Sequence, residues 1–358
     1  MRVALLNPCF WPEVRRGSER FADELARALM ARGHVQPRLI VSHPGPPTRR
    51  VEDGLTIVRV PRPPDRRLRR RCFEDHLTHV PFSYAALLAG EDDLAHALFP
   101  TDALAAVRWA RRRRRPAILS YMGIPHRQAL AARRGRVEVL TRALDGVDAV
   151  VALSRAAADG FERWLGAQAC VIAPPVDLQT FSPGGERAED PTILCAADLR
   201  EPRKRVPLLL EAFALVRRER PRARLVLSRP RADAPLVPAG VELVDLDDRH
   251  ALAQANRAAW VAALPSVGEA FGLTVAEALA CGTPAVVSDL HALPELIDDP
   301  SLGRRFAGDD PAALARALLE ALELAGDPGT AAACRRRAEP FSRAACADAY
   351  EALYRGLL

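Results

Sequence analysis

Two acidic residues, Glu269 and Glu277, stand on either side of Gly272 with seven residues between them. A carboxylate can accept hydrogen bonds from two neighbouring hydroxyl groups, so such a pair suits a polyol. The segment between them opens a predicted helix, whose first N–H groups and partial positive charge suit a phosphate. Gly272 has no side chain, which lets the backbone approach a ligand closely. A site for both phosphate and hydroxyl groups indicates that the ligand is a nucleotide sugar.

The apolar pattern around these residues predicts the elements that position them. A short apolar run at 260–264 predicts a buried strand. Helical spacing of apolar residues predicts a helix over 273–281, and Pro284 prevents its continuation. The next apolar run, 285–287, predicts another strand. In an open parallel sheet, ligands bind where strands end in loops that lead into helices, so this corner is the predicted site.

The stretch 265–285 resembles the donor-site pattern of the retaining glycosyltransferases of family 4, P-S-x-x-E-x-F-G-x-x-x-x-E-A-x-A-x-G-x-P-V. It departs from that pattern at the last position, where Ala285 replaces Val. The resemblance implies the GT-B fold, and it implies that Glu269 contacts the sugar hydroxyls and Glu277 the ribose. It also implies that the backbone after Glu269 reaches the sugar and the phosphates, at Ala270, Phe271, Gly272 and Leu273. Structural roles stay open, because Glu277 could form a capping box with Thr274 and Glu269 could be a solvated loop acid.

Lys204 is the one lysine among 51 basic residues, so a compact ammonium group rather than a guanidinium is indicated at this position. It matches the Lys of the family pattern G-R-x-x-x-x-x-K-G, whose Arg and Lys hold the diphosphate. The resemblance therefore implies a catalytic cation at Lys204. Asp198 stands at the Arg position and would repel a diphosphate unless it is turned away or ion-paired. Arg200 or Arg203 could supply the missing cation, and Arg203 is the one included in the predicted donor site.

The first domain matches the family less closely. Gly17 fits the second Gly of the family's opening loop, where the resemblance implies a backbone contact with the donor diphosphate, but Arg16 replaces the first Gly. A predicted strand at 117–121 leads into Met122, where the family has a His. His126 is the predicted substitute in the active site, with a structural role for this loop histidine as the alternative.

The alternation of strands and helices predicts an α/β fold, and the resemblance specifies GT-B, with two doubly wound Rossmann-like domains facing a cleft. We expect an acceptor-side domain at 1–173 and a donor domain at 192–340. The segment 174–191 is rich in Pro, Gly and acidic residues and predicts a linker that acts as a hinge. The last helix, within 341–358, is expected to cross back to the first domain.

The chain of 358 residues has a net charge of +6, and two arginine runs, 66–71 and 111–115, lie in its first half. One interpretation is a surface for anionic lipid head groups or an acidic acceptor, and the other is a solvated face. The second is favoured for 111–115, because cations suit the end of a helix. Nucleic acid is not an expected partner, because aromatic residues are only 5% of the chain and do not interleave with the basic runs.

Cysteine usage and hydropathy bear on location. Seven cysteines are scattered without a C-x-x-C pair, which favours a reducing compartment and disfavours a zinc site. No run of 18 apolar residues predicts a transmembrane helix, and Pro8 comes too early for a signal peptide. We therefore expect a cytoplasmic protein, either free or peripheral on the inner face of the membrane.

Together with the resemblance, these patterns predict a retaining, metal-independent glycosyltransferase that needs no cofactor. It would move a hexosyl group from a UDP- or GDP-sugar to a hydroxyl acceptor. The acceptor stays open among a lipid, a polysaccharide and a small aglycone. Met122 and Asp198 motivate an alternative, a catalytically impaired GT-B protein that binds a nucleotide sugar or a partner protein. A GT-B nucleotide-sugar epimerase or phosphorylase is a further alternative.

Overall fold

The computed structural model of the chain describes residues 1–11, 13–14, 17–230 and 236–358. These residues form two compact units. Unit 1 comprises Met1–Pro175 together with Arg343–Leu358, and unit 2 comprises Val176–Ser342. Arg16, one of the departures from the family pattern, lies outside the described residues, so its effect on the loop stays a prediction.

An eight-stranded sheet forms the centre of unit 1. Its strands are β1 (Arg2–Asn7), β2 (Gln36–His43), β3 (Thr48–Glu52), β4 (Leu55–Pro61), β5 (Leu94–Ala97), β6 (Ala117–Tyr121), β7 (Ala149–Ala152) and β8 (Cys170–Val171). Their order across the sheet is β3-β4-β2-β1-β5-β6-β7-β8, and β3 pairs antiparallel with β4 while the other pairs are parallel. Strands β2, β3 and β4 lie on one side of β1, and strands β5 to β8 lie on the other. The strand order therefore reverses between β1 and β5.

Helices cover this sheet, as the almost wholly buried central strands require. They are α1 (Gly17–Arg32), α2 (Arg66–Arg70), α3 (Val80–Leu88), α4 (Pro100–Arg113), α5 (Arg127–Ala131), α6 (Arg136–Leu144) and α7 (Arg155–Leu165). Trp109 on α4 is 1% exposed and is among the largest side chains of the core. The hydroxyl of Ser154 accepts the N–H of Ala157 at 3.1 Å and caps α7 directly after β7.

Unit 2 contains a six-stranded sheet. Its strands are β9 (Thr192–Cys195), β10 (Arg224–Ser228), β11 (Val241–Val244), β12 (Val261–Leu264), β13 (Ala285–Ser288) and β14 (Gly303–Phe306). The order is β11-β10-β9-β12-β13-β14 with parallel neighbours throughout, so the reversal lies between β9 and β12. The helices are α8 (Val206–Glu219), α9 (Arg249–Ala258), α10 (Leu273–Ala280), α11 (Leu293–Leu296), α12 (Pro311–Leu324) and α13 (Thr330–Ala338).

The last helix, α14 (Arg343–Leu357), belongs to unit 1 and packs on α1. Its Tyr350 and Tyr354 are fully buried and join a hydrogen-bonded chain. The ring nitrogens of His96 lie 2.7 Å from the Tyr354 hydroxyl and 2.7 Å from the Ser120 hydroxyl, which is 2.9 Å from the Tyr350 hydroxyl. Burial lowers the pKa of His96 to about 3, so the imidazole is neutral at pH 7.

The structure confirms the predicted α/β class, with two doubly wound, mainly parallel sheets, and it places the last helix with the first unit. The predicted domain and linker boundaries, including the hinge at 174–191, stay predictions. Within the described part of the chain, no helix is both long enough and apolar enough to cross a bilayer.

Candidate active site

The corner predicted from sequence lies where the strand order of unit 2 reverses. β9 leads into a loop that ends in the 3₁₀ turn Pro202–Lys204, and β12 leads into the loop before α10. Both loops leave the carboxyl ends of neighbouring parallel strands. Open α/β sheets bind ligands at this kind of reversal, so the topology and the sequence pattern indicate the same place.

Backbone hydrogen bonds fix these loops in place. The N–H of Val267 donates to the carbonyl of Arg203 at 2.8 Å, which joins the loop after β12 to the loop after β9. The N–H of Gly268 donates to Nδ1 of His291 at 3.1 Å, so the segment after β13 holds the same loop from its other side. The positions of the side chains on these loops are therefore fixed by the hydrogen-bonded backbone.

Three predicted site residues form one ion cluster. Nζ of Lys204 lies 2.5 Å from Oε1 of Glu269, and Nη1 of Arg203 lies 2.8 Å from the same oxygen. The side chains of Glu269 and Lys204 are 12% and 15% exposed, whereas that of Arg203 is 40% exposed and also pairs with Glu201. Burial opposes the charge of Arg203, but its two carboxylate partners outweigh that effect and raise its pKa. The cluster thus holds two cations beside one buried carboxylate.

Gly272 makes the tight corner between this cluster and α10. Its φ of +101° lies in the region that favours glycine. A Cβ at this position would lie 2.6 Å from Cδ2 of Leu293 and 3.1 Å from Cδ1 of Leu296. The neighbouring Phe271 is buried, and its ring meets that of Phe341 edge to face at 5.1 Å between centroids. The corner therefore has a backbone conformation that favours glycine, and it is tightly packed. Both features suit a backbone that approaches a ligand closely.

Glu277 is fully buried in α10. The helix begins at Leu273 with Gly272 as its N-cap, so Thr274 stands inside the first turn and not at the cap. The capping-box alternative for Thr274 and Glu277 is therefore wrong, because that motif needs the hydroxyl residue at the N-cap. An acid without solvent contact is costly to keep in a helix without a specific reason.

The other predicted residues are placed as follows. Gly17 is the exposed first residue of α1 and His126 precedes α5, so both belong to unit 1, and their contacts with a donor stay predictions. Nδ1 of His126 accepts the N–H of Ala129 at 3.5 Å, which gives this side chain a helix-capping role. Asp198 is exposed, and its carboxylate accepts the N–H of Arg200 at 2.9 Å. This hydrogen bond leaves the exposed carboxylate charged, so the effect of Asp198 on a diphosphate stays a prediction.

Arg205 is a supporting residue that sequence reasoning missed. It has a φ of +51° and precedes α8. Its guanidinium donates to the carbonyl of Pro265, which begins the loop after β12, and pairs with Asp309 beyond β14. It therefore joins the loops that follow three strands. Its position beside Lys204 was the only sequence signal, and a third basic residue in a row did not distinguish it from surface charge.

This arrangement can bind an anion and hydroxyl groups side by side. The two cations and the N–H groups at the start of α10 suit a phosphate, and a carboxylate suits sugar hydroxyls. Among the described residues, no three His, Cys, Asp or Glu side chains gather as a metal site would need.

Comparison with known families gives two matches. The model for Glycosyltransferase Family 4 matches residues 15–180, and that for Glycosyl transferases group 1 matches residues 190–324. These matches, together with the two doubly wound sheets, define the class as the glycosyltransferases of the GT-B fold. The chain belongs to glycosyltransferase family 4.

Curated relatives agree with this assignment over part of their length. D-inositol 3-phosphate glycosyltransferase of Geodermatophilus obscurus is 35% identical over 213 residues, which are 51% of this chain and 46% of the relative. The protein of the same name from Mycolicibacterium vanbaalenii is 33% identical over 187 residues, 45% of this chain and 41% of the relative. The chain therefore spans about half the length of the curated relatives it matches.

Solved structures confirm the GT-B fold over nearly the whole chain. Sucrose-phosphate synthase from Thermosynechococcus elongatus matches with a TM-score of 0.80 at 20% identity, covering 99% of this chain and 98% of that one. HepE from Anabaena, solved in complex with UDP-glucose, matches with a TM-score of 0.76 at 16% identity over 100% of both chains. At these identities the likeness establishes the fold.

Proposed function

We propose that the protein is a retaining hexosyltransferase that uses a UDP- or GDP-sugar and transfers the sugar to a hydroxyl acceptor. The observation that carries the proposal is the ion cluster of Lys204, Arg203 and Glu269 at the strand reversal of unit 2. Solved neighbours such as HepE bind UDP-glucose, which supports a nucleotide sugar as the donor. The acceptor class stays open among lipid, polysaccharide and small aglycone.

In this proposal each charge has a separate task. Lys204 stabilises the negative charge that builds on the leaving diphosphate, which is the largest catalytic contribution expected of such a site. Glu269 accepts hydrogen bonds from the sugar hydroxyls, and Glu277 accepts them from the ribose. The bond from the anomeric carbon to the diphosphate breaks as the acceptor oxygen bonds to the same face. The proton of the acceptor hydroxyl goes to the leaving phosphate, so no separate base is needed, and Lys204 with Arg203 supplies the positive charge without a metal ion.

The first test is a thermal-shift screen of the full chain against UDP-, GDP-, dTDP- and ADP-sugars. Binding to the folded state raises the melting temperature by mass action, and the largest shift identifies the donor. UDP or GDP sugars are expected to give it. A screen in which no nucleotide sugar moves the melting temperature would overturn the proposed function.

A variant at Glu277 makes this screen specific. Glu277→Gln keeps the volume and removes the charge, and it is expected to lose the donor-induced shift with the fold retained. Glu277→Ala is expected to do the same, although its cavity lowers the melting temperature itself. An unchanged shift in both variants would assign Glu277 to packing alone.

Product analysis separates the enzyme alternatives. An epimerase would convert the donor with no acceptor present, and a phosphorylase would require inorganic phosphate. A catalytically impaired binding protein would show the thermal shift but no transfer and no donor hydrolysis. Met122 and Asp198 are the residues that motivate this last alternative, and the transfer assay tests it.

The proposal includes docking on an anionic lipid surface at the cytoplasmic side. The arginines of α2 and Arg71 are exposed, and of these Arg69 alone has an ion pair among the described residues, at 3.5 Å to Asp75. α2 is five residues long, and three of its arginines, Arg67, Arg69 and Arg70, stand in its last turn. A cluster of exposed like charges suits an anionic partner, to which each contributes about 1 kcal/mol near a membrane.

A further inference from the structure

Unit 1 contains a buried histidine–aspartate pair at the carboxyl edge of its sheet. Nε2 of His79 lies 2.6 Å from Oδ1 of Asp102, and each residue is 1% exposed. His79 ends a 3₁₀ turn just before α3, and Asp102 lies in the first turn of α4, directly after β5. None of the roles given so far to residues of this protein uses this pair.

Four buried polar atoms at this edge have no hydrogen-bond partner within the described residues. They belong to residues that are at most 1% exposed: Oδ1 of Asn7, Nδ1 of His79, Oγ1 of Thr101 and Oδ2 of Asp102. Asn7 ends β1, while Thr101 and Asp102 follow β5, and β1 and β5 are the strands between which the order reverses. Buried polar side chains are rarely left unpaired, so several of them at one strand reversal indicate a ligand.

The unpaired ring nitrogen of His79 is not a property of every buried histidine in unit 1. His96 is fully buried, and both of its ring nitrogens are hydrogen-bonded, one to Tyr354 and one to Ser120. His96 therefore has a partner for each of its nitrogens. His79 has one satisfied nitrogen and one unsatisfied nitrogen.

The chemistry of the four atoms defines the ligand. In the neutral imidazole, donation from Nε2 of His79 to Asp102 leaves Nδ1 as an acceptor. A carboxylate oxygen, an imidazole nitrogen, an amide oxygen and a hydroxyl all accept hydrogen bonds from O–H groups. The four atoms are acceptors, which suits the O–H groups of a polyol, and the Arg62 guanidinium at this edge already donates to the carbonyl of Pro8 at 2.8 Å.

The segment that covers the pair has an unusual backbone. Cys72 and His76 have φ values of +56° and +65°, two of six such non-glycine residues in the described part of the chain. The His76 ring lies 6.2 Å from that of His79 and 5.5 Å from that of Phe99, centroid to centroid. Residues in these conformations cost energy and concentrate at clamps and switches.

We propose that Asn7, His79, Thr101 and Asp102 bind hydroxyl groups of the acceptor, and that the segment 72–79 opens to admit it. The subsite deepens the proposed function, because it makes the acceptor a polyhydroxylated molecule or head group. Polyol binding is nevertheless measurable without donor. Failure of the donor screen and failure of this subsite are therefore separate results.

Hydrogen exchange of the full chain, followed by mass spectrometry, tests the subsite. The probes are xylitol, glucose and sucrose, each compared with trimethylamine oxide at equal osmolality, because osmolytes slow exchange throughout a protein. At least one polyol is expected to protect peptides covering 72–80 and 99–103 at least twofold beyond the control. The absence of such local protection with all three polyols would overturn the proposal.

Variants distinguish binding from structural support. Thr101→Val keeps the shape and removes one hydroxyl. Asp102→Asn can keep an oxygen toward Nε2 of His79, and it removes the charge and replaces the unpaired carboxylate oxygen by an NH₂ donor. Both variants are expected to abolish the local protection. His96→Gln, which disturbs the satisfied histidine, is the matched control and keeps it. With an identified donor and a polyol acceptor, Thr101→Val raises the KM for the acceptor at least tenfold and leaves that for the donor unchanged. Protection and acceptor KM that match the wild type in Thr101→Val would refute the assignment.

Discussion

The strand reversals of the two units are built differently. In unit 2 the charged groups pair with one another, because the Glu269 carboxylate lies between Lys204 and Arg203, and the buried Ser266 hydroxyl is the kind of neutral group that has no partner among the described residues there. In unit 1 the pair of His79 and Asp102 leaves acceptor atoms without partners among the described residues. The first arrangement is a set of charges that must exchange partners when an anion arrives. The second is a set of acceptors that can bind the hydrogens of hydroxyl groups.

This difference has an energetic reason. Unpaired buried charges are far more costly than unpaired neutral polar groups, so cations that serve a diphosphate need a carboxylate in its absence. Three of the four acceptors in unit 1 are neutral and can remain unpaired at a cost of about 1–3 kcal/mol each, while the Asp102 carboxylate keeps the ring N–H of His79 as a partner. The unit 2 corner is therefore expected to be stable without ligand, whereas the unit 1 edge is expected to gain stability from one.

The largest expected effect is on catalysis at the unit 2 corner. Lys204→Ala removes the cation for the leaving diphosphate and is expected to lower kcat by about 10²–10³-fold. The measurement is nucleotide release under saturating donor. Arg222→Ala is the control, because this exposed arginine pairs with Glu189 and Asp190 in the same unit. A kcat within twofold of wild type in Lys204→Ala would remove the main support for the ion cluster as the catalytic centre.

The next effect concerns the backbone at that corner. Gly272→Ala combines a positive φ with the close contact to Leu293, so the free energy of unfolding is expected to fall by about 3 kcal/mol. Gly268→Ala also has a positive φ, +72°, but open space around the new methyl group. It is expected to cost about 1 kcal/mol. Equal losses in urea unfolding would show that packing against Leu293 does not define the corner.

A matched pair of substitutions tests the contrast in unit 1. Tyr354→Phe leaves a ring nitrogen of His96 unpaired and is expected to lower the free energy of unfolding by about 1–3 kcal/mol. Thr101→Val removes a hydroxyl that is already unpaired, so stability is expected to stay the same or rise by about 1 kcal/mol. Urea unfolding without ligand measures both. A loss in Thr101→Val as large as that in Tyr354→Phe would mean that the hydroxyl has a structural partner.

The smallest effect per residue concerns the two arginine runs of unit 1. Each Arg→Gln change at an exposed arginine of α2 is expected to weaken binding to phosphatidylglycerol vesicles about fivefold, or about 1 kcal/mol. Co-sedimentation measures this, with phosphatidylcholine vesicles as the uncharged reference. The run 111–114, at the C-terminal end of α4, is the control because it presents four consecutive arginines in the same unit. Equal losses of vesicle binding from both runs would indicate that net charge alone, and not the α2 run, determines binding. Tighter binding to double-stranded DNA than to the vesicles would indicate a nucleic acid as the partner instead of a membrane.

Much of unit 2 was predictable from sequence because its site is local. Glu269, Gly272 and Glu277 lie within nine residues, and apolar runs on both sides fix the strands and α10 around them. The one error there was the capping-box alternative, which failed because the helix begins after Gly272 rather than at Thr274. The N-cap residue is set by backbone geometry, which residue types alone do not determine.

Unit 1 was less predictable because its polar cluster joins distant segments. His79 and Asp102 are 23 residues apart in different elements, and no spacing rule connects them. His126 was predicted to lie in the active site because of its position in a loop, and in the structure its ring caps α5. The hydrogen bonds that join His96, Ser120 and Tyr354 could not be predicted from sequence either, because His96 and Tyr354 are 258 residues apart.

The place of α14 has a consequence for how the chain is made. Unit 2 is one continuous segment, whereas unit 1 receives its last helix only after all of unit 2 has left the ribosome. Until then His96 and Ser120 lack their tyrosine partners and the surface of α1 that α14 covers is open to water. The amino-terminal unit, although synthesised first, is thus the last to be completed, and a nascent chain at this stage is the form most in need of chaperone protection.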